Sequence, residues 1–513
     1  MGFGISIALE PESAYLCALP APQDRSRSGD DLRSMLFLPV CLSLAFASAL
    51  PITAPPQGED WSRFRGPNGS GSSSATQLPE DLDPKGPRLR WRIEVPPGYS
   101  SPVLSGGGLF LTAHEDKLLA LHCFDAETGE KRWSAPAPKE LEKKPQGPNS
   151  PVSATPVVAD GKVFVFYESQ GLLAYDAKEG KLLWQLELGP FTNPYGMSAS
   201  PIAVEGRVLQ LCDQDVGSFL VCVDAAEGKE LWRTARTGAT HSFSTPLVHR
   251  TAEGAFEVIV SGAYGVRSYA LNDGKELWRA TGMAWQAKSV PVLGENELYV
   301  HSWMADPRSE LKVNLEPVPW EEAKQRWDKD QDGKLSREET PDAEMKKLWF
   351  LFDVDKDKLL GEEDWKFFLA RGTAQNGLYA VKLGGSGDVS STHVRWRYDR
   401  GLPNIPSPLL IAGKLFVLKE GGILTVLDAA KGEMLSEERI EGGIDNYFAS
   451  PVAGDGKIYT ASHQGVLCVL SAESPWKVLD SAELEEEIWA TPAIAPGRLY
   501  VRTQKALYCY AGK

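Results

Sequence analysis

Three features of the sequence predict an all-β fold: an eight-bladed β-propeller that is closed by its own N-terminal strand and carries a small α-helical insertion. A unit of four short strands recurs along the chain, eight such units can be counted, and the two ends of the repeat region complete each other. Repeats of this kind are typical of propellers, in which four-stranded blades stand in a ring.

The clearest copy of the unit occupies residues 153–188. Apolar and polar residues alternate from Lys162 to Glu168, which predicts a half-buried strand. Turn pairs such as Asp160-Gly161 separate this strand from its neighbours, and the last strand of the unit carries Trp184. A tryptophan recurs four residues after the turn glycine in other units, at Trp133, Trp232 and Trp278.

Each unit opens with a proline that follows Ser, Thr or Val, and this pair gives the count of eight: Pro102, Pro156, Pro201, Pro246, Pro291, Pro408, Pro451 and Pro492. The interval between Pro291 and Pro408 is much the longest. It predicts an insertion of roughly 70 residues, because one blade needs only about 40–45. We place the insertion at residues 303–375, so that the propeller comprises residues 88–302 and 376–513.

The last unit supplies strands at Arg498–Arg502 and Ala506–Ala511 but no fourth strand. The segment Arg88–Val95 reads as a strand, and its Trp91 matches the tryptophan of the repeat. Pairing this segment with the last unit would close the ring and leave no exposed sheet edge. An open solenoid is the alternative.

The N-terminal region predicts export. An apolar run from Met35 to Ala49 is too short to span a bilayer and ends in Ala47-Ser48-Ala49, so residues 1–49 are interpreted as a signal peptide region whose true start is at Met35. A membrane anchor is the alternative. We expect a periplasmic or extracellular protein that does not span the membrane. A net charge of −15 argues against nucleic acid as a partner.

Residues 50–87 are rich in Pro, Gly and Ser and predict an extended lead-in that lies on the ring, anchored by Trp61 and Phe64. The cysteines predict free, packed thiols rather than a disulfide framework. Cys123, Cys222 and Cys509 fall at a repeat position that Ala174, Ala270 and Ala380 hold in other units. Cys212 and Cys222 are the pair that could still be close enough to bond.

The insertion contains the residue pattern of an EF-hand calcium loop between Asp328 and Glu339. Calcium prefers six to eight hard oxygen ligands, and Gly333 permits the sharp bend that the loop needs. A solvated acidic turn is the alternative. The predicted ligands are Asp328, Asp330, Asp332, the backbone carbonyl of Lys334, Ser336 and Glu339.

A second loop begins at Asp353 and is less complete. Lys358 stands where glycine is wanted, and the left-handed conformation there costs about 1–2 kcal/mol. Asp364 is one methylene shorter than the usual glutamate. This loop either binds calcium weakly or mainly braces the first. Its ligands would be Asp353, Asp355, Asp357, the backbone carbonyl of Leu359, and Asp364.

The two loops also look like a pair. Leu335 and Leu360 occupy the eighth position of each loop, where paired loops share a short strand contact, and Thr340–Phe352 is long enough for one shared helix. We expect one bound calcium ion, with a second left open.

The repeats resemble those of the pyrroloquinoline-quinone-like propeller superfamily, which includes quinoprotein alcohol dehydrogenases and the propeller lipoprotein of the outer-membrane assembly machine. The resemblance rests on the proline-led units, the DAKEG-type turns and the lead-in sequence Phe64–Gly69. It implies eight blades and a functional funnel at the axis. Ser436 and Leu479 depart from the pattern, because the sixth and seventh units lack the tryptophan.

The resemblance also implies where a ligand would bind, namely at residues just before each inner strand. The candidate funnel ligand site is Tyr195, His241, Trp285, Lys288, Asn446 and Trp489. Quinone-dependent members carry a vicinal Cys-Cys pair and a catalytic Asp beside a Glu/Asn calcium site. This sequence has no Cys-Cys pair, and no mouth segment shows that acidic set. We therefore predict no catalytic residue and do not expect pyrroloquinoline quinone (PQQ) as a cofactor.

Together these patterns predict an exported, monomeric, calcium-binding propeller without catalysis, which recognises a protein partner or small ligand through one face. The alternatives are a PQQ-dependent oxidoreductase and an envelope protein-assembly scaffold.

Overall fold

The computed structural model describes residues 61–141, 148–304 and 315–513. The expected signal peptide region with its start at Met35, and the first part of the lead-in, lie outside these residues. No helix in the described ranges is both long enough and apolar enough to cross a membrane.

The predicted propeller is confirmed: the described residues form eight antiparallel sheets of four main strands each. Blades one to four contain β2–β5 (Val103–Ser105, Gly108–Glu115, Leu118–Asp125, Lys131–Pro136), β6–β9 (Val157–Ala159, Lys162–Tyr167, Gly171–Asp176, Leu182–Leu186), β10–β13 (Ile202–Val204, Arg207–Cys212, Phe219–Asp224, Glu230–Ala235) and β14–β17 (Leu247–Arg250, Phe256–Gly262, Gly265–Ala270, Glu276–Thr281).

Blade five interleaves with the insertion and contains β18 (Val292–Leu293), β19 (Glu297–Ser302), β22 (Gly377–Lys382) and β24 (Val394–Tyr398). Between its last two strands, β23 (Gly387–Asp388) pairs with the outer strand of blade four, and a short helix, Ser390–His393, follows. Blades six and seven contain β25–β28 (Leu409–Ile411, Lys414–Lys419, Ile423–Asp428, Met434–Arg439) and β29–β32 (Val452–Gly454, Lys457–Ala461, Val466–Ser471, Val478–Glu483).

Blade eight joins the two ends of the ring. Its inner strands are β33–β35 (Ala493–Ala495, Arg498–Arg502, Ala506–Ala511), and its outer strand is β1 (Leu89–Glu94), which pairs antiparallel with β35. Trp91 lies opposite Cys509 in this register. The buried Arg502 guanidinium joins blade eight to blade one, donating to the Ser100 carbonyl at 2.7 Å and the Thr112 carbonyl at 2.9 Å.

A ring of hydrogen bonds runs around the axis through the residue that precedes each opening proline. In seven of the eight steps, the backbone N–H of this residue donates to a hydroxyl of the next blade. The donor–acceptor pairs are Ser101–Thr155, Thr155–Ser200, Ser200–Thr245, Val290–Ser407, Ser407–Ser450, Ser450–Thr491 and Thr491–Ser101, at 2.9–3.2 Å. The remaining step would run from Thr245 to Val290, and it lacks this bond because valine has no hydroxyl. The Ser/Thr-Pro signature therefore encodes contacts between blades.

The recurring tryptophan and the turn glycine form a second contact between blades. A Cβ atom on Gly228 would lie 2.5 Å from the Trp184 ring of the preceding blade, so only glycine leaves room for the indole. The Trp184 indole N–H also donates to the Ala225 carbonyl at 3.2 Å. The same packing joins Trp91, Trp133, Trp232 and Trp396 to Gly129, Gly180, Gly274 and Gly432.

Strand register corrects two details of the repeat. In blade four the residue opposite the tryptophan is Ser268, not Ala270, because the position lies six residues before the turn glycine in blades one, two, three, four and six. In blade seven the residue at the tryptophan position is Asp480, not Leu479, because Leu479 falls in a β-bulge. The five described cysteines, Cys212 and Cys222 among them, are free and buried.

The lead-in crosses the inner ends of the blades, but its anchors differ from the prediction. Trp61 is buried, whereas Phe64 is half-exposed. The buried side chains beside it are Arg63, which donates to the Pro246 carbonyl at 2.6 Å, and Arg65, which donates to the Pro408 carbonyl at 2.8 Å. Guanidinium groups hold this segment because the inner strand ends present unpaired carbonyl oxygens.

The insertion connects β19 to β22 and contains α1 (Trp320–Trp327), β20 (Leu335–Ser336), α2 (Ala343–Lys347), a 3₁₀ turn (Trp349–Leu351), β21 (Leu359–Leu360) and α3 (Glu362–Thr373). Instead of one shared helix, two short helical segments separate the loops. The elements enclose a small core of their own: Val318, Trp320, Ala323, Leu335, Met345, Trp349, Phe352, Leu360 and Trp365.

The hydroxyl ring can be tested by a matched pair of substitutions. Thr155→Val keeps the side-chain shape but leaves the buried Ser101 N–H without its acceptor, so we expect a loss of about 1–3 kcal/mol in the free energy of unfolding. Val290→Thr supplies the missing hydroxyl and should leave stability unchanged or raise it by about 1 kcal/mol. Urea unfolding followed by circular dichroism measures both, and equal losses in the two variants would contradict a role for the ring.

Candidate metal centre and funnel mouth

The first acidic loop brings three carboxylates together between α1 and β20. One oxygen each of Asp328, Asp330 and Asp332 lies within 4.8 Å of the others. Asp328 Oδ2 accepts the Gly333 N–H at 3.0 Å, but Asp328 Oδ1 is buried and has no hydrogen-bond partner. A buried carboxylate oxygen without a partner is costly, and a hard cation would satisfy it.

Glu339 closes the first loop from the other side. Its Oε1 accepts the Lys329 N–H, and its Oε2 accepts the Ser336 N–H, both at 2.8 Å. These bonds, first of all those from the Ser336 backbone and hydroxyl, lower the pKa of Glu339 to about 2. The carboxylate is therefore ionised and directed into the loop. Lys334 contributes its N–H to Asp332 Oδ1 at 2.8 Å.

The second loop has a similar arrangement with weaker ligands. Oxygens of Asp353, Asp355 and Asp357 also lie within 4.8 Å of one another, and buried Asp353 Oδ1 has no partner. Lys358 adopts a left-handed φ of 73°. Asp364 is held by the Val354 and Gly361 N–H groups at 2.9 Å, and burial raises its pKa to about 6.

The two loops touch through a short antiparallel ladder. Leu335 pairs with Leu360, and Ser336 pairs with Leu359, which is the register expected from the eighth loop positions. The Lys334 ammonium of the first loop contacts the Asp357 carboxylate of the second. The loops are thus one structural unit, and three of the predicted ligand carboxylates converge in each loop.

The six predicted funnel residues fall into separate groups around the mouth. Tyr195, His241 and Trp285 form one cluster, with ring centroids 5.2 Å and 5.0 Å from His241. His241 Nδ1 lies 2.6 Å from Asp215 Oδ1, and its Nε2 lies 2.9 Å from the Gln286 side-chain amide. Both ring nitrogens of His241 therefore have hydrogen-bond partners, which fix the orientation of the imidazole.

On the far side of the mouth, Trp489 is stacked between Tyr99 and Phe448, with ring centroids 4.4 Å and 4.3 Å away and nearly parallel planes. Both faces of the indole are therefore covered by protein rings. Asn446 is exposed nearby, and its carbonyl accepts the His463 N–H at 2.8 Å.

Lys288 stands apart from both groups. Its ammonium donates to Asn404 Oδ1 at 2.5 Å, and no carboxylate among the described residues lies within 4 Å of it. Burial lowers the pKa of Lys288 to about 8. This half-buried cation would suit an anionic group at the funnel wall.

Sequence reasoning missed Asp215 and Phe448 as members of the mouth. Phe448 could have been found from its position in the repeat, because it stands two residues before Ser450, the ring residue of its blade. Tyr99, Lys288 and Trp489 hold the same position in their blades. Asp215 gave no signal of its own, since only the fold brings it to His241.

Comparison with known proteins gives a consistent picture. The family described as outer membrane protein assembly factor BamB (PQQ_2) matches residues 78–302, 217–343 and 374–511. The chain is 37% identical over 99 residues to "Outer membrane protein assembly factor BamB" of Moranella endobia, covering 19% of this chain and 20% of that protein. It is 27% identical over 165 residues to "Quinohemoprotein alcohol dehydrogenase ADH-IIG" of Pseudomonas putida, covering 30% and 23%.

These aligned regions span about a quarter or less of the length of these two curated relatives. Among solved structures, BamB from Moraxella catarrhalis superposes with a TM-score of 0.53 at 12% identity, covering 82% of this chain and 99% of that one. At this identity the likeness concerns the fold alone.

The burial of Lys288 predicts a pH-dependent difference in stability. The pKa of Lys288 is about 8 in the folded chain against an ordinary 10.5. Burial of the charged ammonium therefore lowers the free energy of unfolding fully below pH 8, and this cost disappears as the pH rises towards 10.5. Lys288→Met should therefore stabilise the protein by about 1–3 kcal/mol at pH 7, and by less at pH 9.5. Urea unfolding at both pH values measures this; exposed Lys382→Met is the control. A gain that is equal at both pH values would contradict it.

Proposed function

The chain belongs to the PQQ_2 family, described as outer membrane protein assembly factor BamB, and from this premise we propose that it is an exported, calcium-binding propeller without catalysis of its own that recognises a partner through its funnel face. The relatives named for outer membrane assembly support a place in the cell envelope. We propose that it acts there as a monomer.

The calcium proposal is carried by one observation, the buried and unpartnered Asp328 Oδ1 within a converging set of carboxylates. All six predicted ligand positions of the first loop are filled by suitable residues. Calcium would be held by Asp328, Asp330, Asp332 and Glu339, with the Lys334 carbonyl and Ser336 completing the set. The bound calcium ion would fix the orientation of α1 relative to α2.

The second loop would bind calcium more weakly. Its Lys358 must keep a strained backbone, and Asp364 would have to exchange two backbone hydrogen bonds for a metal bond. Protonation of Asp364 below its raised pKa would compete further with the metal.

Recognition through the funnel face is supported by exposed apolar residues at that end of the blades. Connections between blades, and between the second and third strands of a blade, emerge at the same end of a four-stranded meander. Ile444, Val216 and Tyr195 lie on such connections and are 72%, 47% and 36% exposed. Contiguous exposed apolar groups mark contact sites for other proteins, and we propose that these three residues each contribute to one such surface.

An oxidoreductase is the second candidate, because a quinohemoprotein alcohol dehydrogenase is among the relatives. PQQ is planar and would need an open aromatic face. Trp489 has both faces covered, by Tyr99 and Phe448, so the residues at this wall do not fit such a cofactor. We therefore propose that PQQ is not bound.

Calcium binding is tested with Glu339→Gln. Isothermal titration of the wild type should show a first-loop binding step whose affinity falls at least about tenfold in the variant, or about 1.4 kcal/mol, because the bidentate ligand is gone; any weaker heat that remains would belong to the second loop. Glu338→Gln, at the neighbouring exposed residue, is the matched control and should bind as the wild type does. Equal heats in all three proteins would remove the first loop from the proposal.

Partner recognition is tested by cross-linking purified protein to envelope extracts. Ile444→Asp on the funnel face should reduce capture of specific partners severalfold, because a charge cannot be buried in an apolar contact without loss. Leu231→Asp, on an outer strand, should capture normally. The oxidoreductase would be favoured instead if the protein showed the absorbance of bound PQQ after PQQ and calcium were added, and if Ile444→Asp captured partners as well as the wild type did.

A further inference from the structure

The insertion packs against the funnel mouth through its last helix, α3. The Phe367 ring lies 6.4 Å from that of Tyr264, and the Arg371 guanidinium lies 4.6 Å from the centroid of Trp285. Ala374, at the end of this helix, is buried against Ala263. The end of α3 is thus fixed on blade four.

A second contact joins the insertion to blade three. The Lys356 ammonium lies 3.6 Å from Asp215 Oδ2, and the other oxygen of Asp215 lies 2.6 Å from His241 Nδ1. His241 is in turn 5.0 Å from Trp285. Both contacts of the insertion therefore converge on one group, which we call the rim cluster: Tyr195, Asp215, His241, Trp285 and Gln286.

One contact, from Lys356, lies in the second acidic loop, and the other, from Arg371, lies on the helix that leaves this loop. Lys356 is the fourth residue of that loop, and Asp364, its last ligand position, lies in the first turn of α3. Without metal, the carboxylates of Asp353, Asp355 and Asp357 in the same loop would compete with Asp215 for the Lys356 ammonium. Bound calcium would neutralise them, leave Asp215 as the favoured partner of Lys356, and fix the direction in which α3 leaves the loop.

We propose that metal binding in the second loop is thermodynamically linked to the rim cluster: calcium strengthens the contacts of Lys356 and Arg371 with the rim, and those contacts in turn raise the affinity of the loop for calcium. The proposal rests on calcium binding by the insertion. Its consequence is that the metal controls how firmly one side of the funnel mouth is held for a ligand or partner, because linkage is reciprocal.

The test uses calcium as the probe in a Glu339→Gln background, so that only the second loop reports. Adding Lys356→Met or Arg371→Met should weaken calcium binding by about two- to tenfold, because a rim contact is lost. The sign is informative. Removing a positive charge near a cation site would by itself tighten calcium binding.

Lys366→Met is the matched control. Lys366 lies on α3 close to the loop but pairs only with Glu362 and Glu363 of its own helix, so its removal should leave calcium affinity unchanged or slightly higher. Isothermal titration at fixed ionic strength measures all four proteins. Asp328→Asn offers a second way to disable the first loop if Glu339→Gln disturbs the pair.

The reciprocal effect is measured by hydrogen exchange. Calcium should slow exchange of peptides that contain residues 213–216 and 284–287 in the Glu339→Gln protein, and should not do so after Asp355→Asn. The linkage would be overturned if Lys356→Met and Arg371→Met bound calcium as tightly as the Lys366→Met control, or if the second loop bound no calcium. Either result would leave the proposed calcium site of the first loop unaffected. Absence of calcium binding in the wild type would instead remove the proposed function.

Discussion

The ring of hydroxyl-to-amide hydrogen bonds is the constraint on which the rest of the molecule depends. Each bond joins the start of one blade to the start of the next, from Ser101–Thr155 to Thr491–Ser101, where the circle closes. The proline that follows fixes φ and leads directly into the inner strand. Because the ring sets the height of every inner strand, it also sets which residues reach the mouth. Tyr99, Lys288, Phe448 and Trp489 all stand two residues before a ring position.

Buried arginines rather than ion pairs complete the axis. Arg65 and Arg502 are fully buried, and burial lowers the pKa of each to about 9. No carboxylate among the described residues is within 4 Å of them; their donors reach carbonyl oxygens at the inner ends of the blades instead. A converging ring of strands leaves such oxygens without partners, and a guanidinium has enough donors to satisfy several at once. This explains how a protein with a net charge of −15 keeps cations at its centre.

The sequence allowed most of the fold to be predicted because its signals are local and repeated. Strand alternation, turn glycines and the spare strand at Arg88–Val95 led to eight blades and to the β1–β35 closure. Ligand spacing likewise gave the register of the paired loops, Leu335 with Leu360. The contacts that could not be predicted are those between residues that lie far apart in the sequence. Phe64 has an apolar side chain, yet the neighbouring arginines are the anchors, because the partners that decide are carbonyls of blades four and six. Asp215 and Lys356 are likewise brought together only by the complete ring.

The place of the insertion matters as much as its ligands. It replaces the turn between the second and third strands of blade five, and such turns emerge at the funnel end of every blade. An insertion in a turn at the other end would have left the metal loops far from the mouth. Here α3 leaves the second loop and ends against Trp285, while Lys356 reaches the blade-three carboxylate that holds His241. The insertion has its own small core, so it can change its metal state without unfolding the ring. An insertion with its own core and two contacts on the rim is the arrangement through which we propose that a bound ion acts on the binding surface.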